Sequence, residues 1–171
     1  MYVSETTRYK MQEVIFDMQQ SRFQDALKVI NEVLTIYTNI NDEVDPEALE
    51  ILKYKVNICV HLKNAQELAN TLDKIVVLSP TDAKAWLDRG IAYLQLKNVP
   101  WAKGSLTKAT ELDPGNAAAW LNLGVVMADT GELAEAINCF DKVLEIDPGN
   151  QRVIQAKQKV VEAARQQGIE L

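Results

Sequence analysis

The sequence predicts an all-α protein: a solenoid of about four antiparallel helical hairpins closed by a C-terminal capping helix. Three observations carry this. First, several residue types recur with one period of 34 residues: Pro80, Pro114 and Pro148; Trp86 and Trp120; Gly90 and Gly124; Ala102 and Ala136. Second, large apolar residues sit three and four apart, as in Trp120, Leu123 and Met127, or Ile137, Phe140 and Leu144. That spacing places each set on one face of a helix. Third, the 171 residues include only seven glycines and five prolines. Too few turn dipeptides punctuate such a chain for a β-sheet fold.

The elements follow in order. Helices are expected near 5–19, 22–38, 46–62, 65–78, 82–96, 99–112, 116–129, 133–146 and 150–167. Asp45 followed by Pro46 reads as a cap residue and a proline at the first helical position. Residues 39–45 are acidic and polar and form a longer joint, where the first hairpin is expected to pack at a non-standard angle. Asp82, Asn116 and Asn150 each precede a helix as a capping side chain. In Asp113-Pro114-Gly115-Asn116 and Asp147-Pro148-Gly149-Asn150 the proline stops one helix, and the glycine is expected to supply a permissive backbone before the next. Gly90 and Gly124 stand where a second helix crosses closely, with Ala102 and Ala136 as the small residues facing back. Cys59 is expected to fill the same kind of crossing. In the last helix Val153, Val160 and Ala164 form the inward face, while Lys157 and Gln158 leave no room for a further helix, so 151–168 caps the array.

These residues resemble the tetratricopeptide repeat, with its signature W-x-x-L-G-x-x-Y, then A-x-x-x-F, then P, at period 34. One copy reads Trp120, Leu123, Gly124, Met127, Ala136, Phe140, Pro148. Another reads Trp86, Arg89, Gly90, Tyr93, Ala102, Leu106, Pro114. A more divergent one runs through Leu52, Val56, Cys59, Leu68, Leu72 and Pro80, and Phe23, Ala26 and Ile30 echo the second half of another. The resemblance covers about 7–168. It implies a single domain over 1–171: a divergent first hairpin and joint (7–45), repeats 46–82, 83–116 and 117–150, and the cap.

Composition narrows the chemistry. Eighteen basic against 24 acidic residues give a net charge of −6, with a pI of about 4.9. An acidic chain lacks the footprint of a phosphate-backbone binder, so nucleic acid is not expected as a partner. The single histidine, His61, leaves no partners for a His-based triad or a His-rich metal site. Cys59 and Cys139 form no C-x-x-C pair and read as reduced, buried thiols. On a helix, Cys59 and His61 point to different faces. Glu132 and Glu135 read as acids favouring a helix start. Trp101, after Pro100, reads as outer-surface packing rather than a base-stacking platform. Glycine-rich phosphate loops are lacking. No apolar leader segment is visible at the start, and no run of 18 apolar residues occurs, so a cytoplasmic protein without a membrane span is expected. No enzyme activity, cofactor or metal is expected.

The resemblance also implies where a partner would sit. In such proteins the first helix of each pair lines a concave groove that takes a peptide or amphipathic helix of another protein. Carried onto this chain, the groove positions are Glu50, Lys53, Tyr54, Asn57 and His61; then Lys84, Leu87, Asp88, Ile91 and Gln95; then Leu121, Asn122, Val125 and Asp129. Leu87, Ile91, Leu121 and Val125 are expected to form one apolar strip. Co-chaperones of this family grip heat-shock chaperone C-terminal tails with Lys and Asn, then Asn, then Lys and Arg. Lys53 and Asn57 match the first pair, but Asp88, Ala118 and Asn122 stand at the other positions. The lost cations and the added carboxylate speak against that tail as a ligand. The expected function is an adaptor or scaffold. The alternatives are a head-to-tail self-assembling scaffold and a non-catalytic regulatory subunit of an enzyme complex. Self-assembly draws on the charge pattern, net −5 over 1–48 and +2 over 151–171.

Overall fold

The computed structural model describes residues 5–37 and 46–169. The joint 39–45, its packing angle and the capping role of Asp45 fall outside the described residues. Among those described, all regular structure is helical, in nine helices, and the fold class is the expected all-α helical repeat. The chain divides into two compact units, Met1–Pro80 and Thr81–Leu171.

The first unit holds α1 (Glu5–Gln19), α2 (Phe23–Tyr37), α3 (Pro46–His61) and α4 (Ala65–Leu78). Val14, Ala26, Ile30, Val33, Ile51 and Ile58 form its main apolar cluster, drawn from α1, α2 and α3. Their helical spacing gives each of these helices an inward stripe, and burial of that stripe rather than intrinsic propensity holds such short helices together. Cys59, Leu68 and Leu72 are buried where α3 meets α4. Among them lies a buried cation, Lys55, whose Nζ is paired with the Glu67 carboxylate of α4. An unpaired ammonium there would be strongly disfavoured, so the α4 carboxylate is part of this packing. Asn64 caps α4 by accepting the Glu67 N–H at 3.1 Å.

The second unit holds α5 (Ala83–Gln95), α6 (Val99–Leu112), α7 (Ala117–Asp129), α8 (Leu133–Ile146) and α9 (Gln151–Gln166), each packed on the next. A Cβ on Gly90 would lie 2.7 Å from Leu106 Cγ, and one on Gly124 would lie 2.9 Å from Phe140 Cε1. Ala102 and Ala136 are fully buried on the facing helices. The small residues therefore let paired helices approach to contact distance, as the repeat requires. The expected caps form: Asp82 accepts the Ala85 N–H at 3.0 Å, Asn116 the Ala119 N–H at 3.2 Å and Asn150 the Val153 N–H at 3.2 Å. In α9, Val153 and Ala164 are buried and Val160 is packed on the same cluster as Phe140 and Val143. Lys157 pairs with Asp141 of α8, and Gln158 points outward with exposed Lys159 and Glu162.

One expectation is corrected. Gly115 and Gly149 do not use the left-handed region. Their turns are held instead by Asp113 and Asp147: Asp113 Oδ1 accepts the Gly115 N–H at 3.2 Å, and the Asn116 and Asn150 amides donate to the Asp113 and Asp147 carboxylates at 3.4 and 3.0 Å. Positive φ occurs elsewhere, in the turn inside each hairpin: Ser21 (59°), Lys63 (53°), Lys97 (58°) and Gly131 (84°). At each the next residue's N–H bonds back five residues, as Arg22 to Asp17, Asn64 to Cys59, Asn98 to Tyr93 and Glu132 to Met127. This is the left-handed helix terminus described for helix C-caps. It shows α1–α2 to be a hairpin of the same build as the later three. Glu132 stands at the start of α8, as expected, with Glu135 in its first turn. It precedes α8 without making a side-chain cap bond, and its carboxylate accepts instead from Lys103 Nζ of α6 at 2.5 and 2.7 Å and from Thr130 Oγ1 at 2.9 Å. The Lys103 hydrogen bond, with that from Thr130, holds the Glu132 carboxyl below the usual carboxylate range.

Candidate functional site

The residues assigned to the groove fall on α3 in the first unit and on α5 and α7 in the second. On α3, Lys53 is paired with Glu50 at 2.7 Å, one turn apart. Tyr54 and Asn57 are exposed. His61 is also exposed, but its ring is stacked on Phe23 of α2 with centroids 4.3 Å apart and planes 7° from parallel. That stacking ties the end of α3 to the start of α2.

On α5, Lys84 holds Asp88 at 2.5 Å, an i,i+4 pair. Gln95 is exposed and Ile91 half-buried. Leu87 is only 8% exposed and belongs to the core with Leu106 and Leu123. On α7, Leu121 is half-buried against the cluster of Phe140 and Val153. Asn122 Nδ2 donates to the Ala118 carbonyl at 2.7 Å. Asp129 is exposed, and so is Val125, at 43%. Of the four residues of the expected apolar strip, then, Leu87 offers almost no surface, Ile91 and Leu121 offer part of theirs, and Val125 offers the most.

One arrangement was missed from sequence. Arg89, at the repeat's leucine position, is buried inside a box of three aromatic rings. Its guanidinium carbon lies 5.4 Å from the Trp86 ring centre, 5.0 Å from Tyr93 and 4.9 Å from Trp101. Nη1 donates to Ser105 Oγ at 2.7 Å, and Ser105 donates onward to the Trp101 carbonyl at 2.7 Å. Trp101 remains 55% exposed, yet its ring stacks against Tyr93 at 5.7 Å. Cation–π attraction and a charge-assisted bond together replace the hydration the guanidinium gave up. The signal in the sequence was the break itself: Arg89 in place of leucine, with aromatics four residues on and twelve residues on.

Cys59 and Cys139 are both buried, and burial pushes each thiol up to about 11. Nucleophilic cysteines run the other way, toward a stabilised thiolate. Native protein should therefore react slowly with an aromatic disulfide reagent at neutral pH, with labelling rates that climb steeply through the denaturant range that unfolds each unit. Fast labelling without denaturant would contradict this placement. Among the described residues no group of three or more His, Cys, Asp and Glu side chains could hold a metal ion. No helix among them is long and apolar enough to cross a membrane.

A fold of paired helices with small residues at the crossings defines a helical-repeat protein. The tetratricopeptide repeat model matches residues 101–160. No curated protein matches the chain. Among solved structures it is similar to MamA, at 26% identity and a TM-score of 0.80 over 94% of this chain and 83% of that one. It is also similar to YrrB, described as a TPR protein with an unusual peptide-binding site, at 18% identity and a TM-score of 0.71 over 91% and 76%. The first TPR domain of Spaghetti (RPAP3), bound to the HSP90 peptide SRMEEVD, matches at 23% identity and a TM-score of 0.66 over 73% and 99%. Over residues 101–160 the chain is thus similar in sequence to the tetratricopeptide repeat family, and its fold as a whole is similar to that of MamA.

Proposed function

We propose that the chain is a non-catalytic adaptor that holds a peptide or helix of another protein along the first-helix face of its hairpins. In the second unit this face is formed by α5 and α7, with Val125 as its most accessible apolar anchor. The carrying observation is the placement of Val125: an apolar side chain left 43% exposed between half-buried Leu121 and exposed Asp129. Apolar anchors flanked by polar side chains suit an extended or amphipathic segment. Lys84, Asp88, Gln95, Asn122 and Asp129 would set its polarity and direction. Lys53, Tyr54, Asn57 and His61 offer the corresponding face of the first unit.

The peptide-bound RPAP3 domain and YrrB support peptide binding as the general mode. The acidic chaperone tail itself is not proposed as the ligand. Ala118 and Asn122 supply no cation, and Asp88 adds a carboxylate whose lysine, Lys84, is already committed to it.

A photo-crosslinking side chain at position 125 should capture a defined partner, and one at Ile146, an exposed apolar position on α8, should not. Val125→Asp should abolish capture without changing the helical signal. Equal capture from both positions would sink the assignment. Light scattering on the same samples separates this reading from head-to-tail self-assembly, which would make the captured partner a second copy.

A further inference from the structure

A second surface lies on the first hairpin, within the first unit. A groove of about 620 Å³ runs between α1 and α2. Its α1 wall carries two large aromatics seven residues apart, Tyr9 at 71% and Phe16 at 52% exposure. Two turns of helix separate them, so both stand on one face. Such rings are normally placed inside, and a pair left out on one side marks a contact surface.

The charge of the groove is uneven. Arg22 lies over the Phe16 ring at 5.2 Å and is paired with buried Asp17 at 2.5 Å. Glu32 is tied to Lys10 at 2.6 Å, with Lys28 beside it. That leaves Glu13 and Asp25, both exposed and without an ion-pair partner among the described residues. Glu13 stands one helical turn from Tyr9, so an aromatic face and an uncompensated carboxylate share one rim. The molecule itself shows what such a pairing holds: Arg22 lies on Phe16 and pairs with Asp17.

We propose that the α1–α2 groove is a docking site for a cationic segment of a partner protein. An arginine or lysine of that segment lies over Tyr9 with its charged head paired with Glu13, and a second cation of the segment is met by Asp25. Ring quadrupole and carboxylate act on the same cation, and the aliphatic stem covers aromatic surface. A neutral or acidic segment would leave both carboxylates facing apolar or like-charged surface, which selects against it.

The test uses the full chain and a short fluorescein-labelled amphipathic peptide alternating arginine with leucine, read by fluorescence anisotropy at low and moderate salt. Saturable binding is expected, weakening with salt. Tyr9→Ala should weaken it about tenfold, and Glu13→Gln with Asp25→Asn about tenfold or more, in line with one desolvated cation–π contact and one charge-assisted bond. These side chains are exposed, so the variants should keep their helical signal and melting curves. Val77→Asp, at an exposed apolar position of α4 outside both proposed sites, should bind the peptide as the parent does. Glu111→Gln with Glu145→Gln removes the same number of charges from elsewhere and should also bind as the parent does. The proposal is overturned by absence of saturable binding, by an effect of the control pair equal to that of Glu13 and Asp25, or by an unchanged Tyr9→Ala. It is overturned too if sedimentation shows the parent chain self-associating and the groove variants monomeric, since the occupant is then a second copy.

Discussion

Phe140→Ala should lower the stability of the second unit by about 3–5 kcal/mol, the range for truncating a buried phenylalanine. The ring is buried in α8 among Ala136, Val143 and Val153. It also fills the space above Gly124, where even one added carbon would be too close. Two helices thus approach each other across this ring, and α9 is packed on the same cluster. Removing it leaves a cavity that cannot be filled from Gly124, because that side has no side chain to move. Collapse would have to come from shifting α7 or α9 as rigid bodies, which loses contacts elsewhere. All three tryptophans, Trp86, Trp101 and Trp120, lie in the second unit. Tryptophan fluorescence in a denaturant titration therefore reports that unit without assuming that both units unfold together. An unchanged midpoint would mean that the ring is not part of the core.

Arg89→Ala should cost about 2–4 kcal/mol, from one charge-assisted hydrogen bond and a desolvated cation held by several rings, less the desolvation regained. The variant also leaves a gap between Trp86, Tyr93 and Trp101. Arg89→Lys should recover little of the loss. An ammonium is compact and strongly hydrated, and it lacks the planar surface that lies against a ring and reaches Ser105 at the same time. The emission of Trp86 and Trp101 should shift to longer wavelength in both variants as the box loosens. Full rescue by lysine would show that charge alone matters and that the box geometry does not.

The two sites differ in how far the sequence revealed them. Phe140, Gly124 and Ala136 were legible as one packed contact because they belong to a repeating pattern, and a pattern repeated with different residues encodes the same spacing each time. Arg89 was visible only as a departure from that pattern. What a departure means depends on which side chains reach it, here Trp101 from twelve residues on and Ser105 from sixteen. Lys55 illustrates the same limit: it looks like a surface lysine in sequence, yet lies buried against Glu67. The expected apolar strip shows the converse. Leu87 and Leu121 hold equivalent positions one period apart, as do Ile91 and Val125, but Leu87 turns into the core while Leu121 keeps part of its surface, and Val125 is exposed where Ile91 is half-buried.

Period, helical spacing and cap residues by themselves determined the helical class, nearly every helix boundary, the close crossings at Gly90 and Gly124, and the inward face of α9. These are local or strictly repeating properties, and each repeat writes them again. Tertiary structure alone decided which polar residues are buried, which apolar ones remain outside, and where the left-handed turns fall. It also decided that Tyr9 and Phe16 of α1 share a groove with the unpaired carboxylates Glu13 and Asp25. The physical reason is that burial and pairing depend on what an adjacent helix brings to the same point, and that partner can lie 29 residues away, as for Lys103 and Glu132.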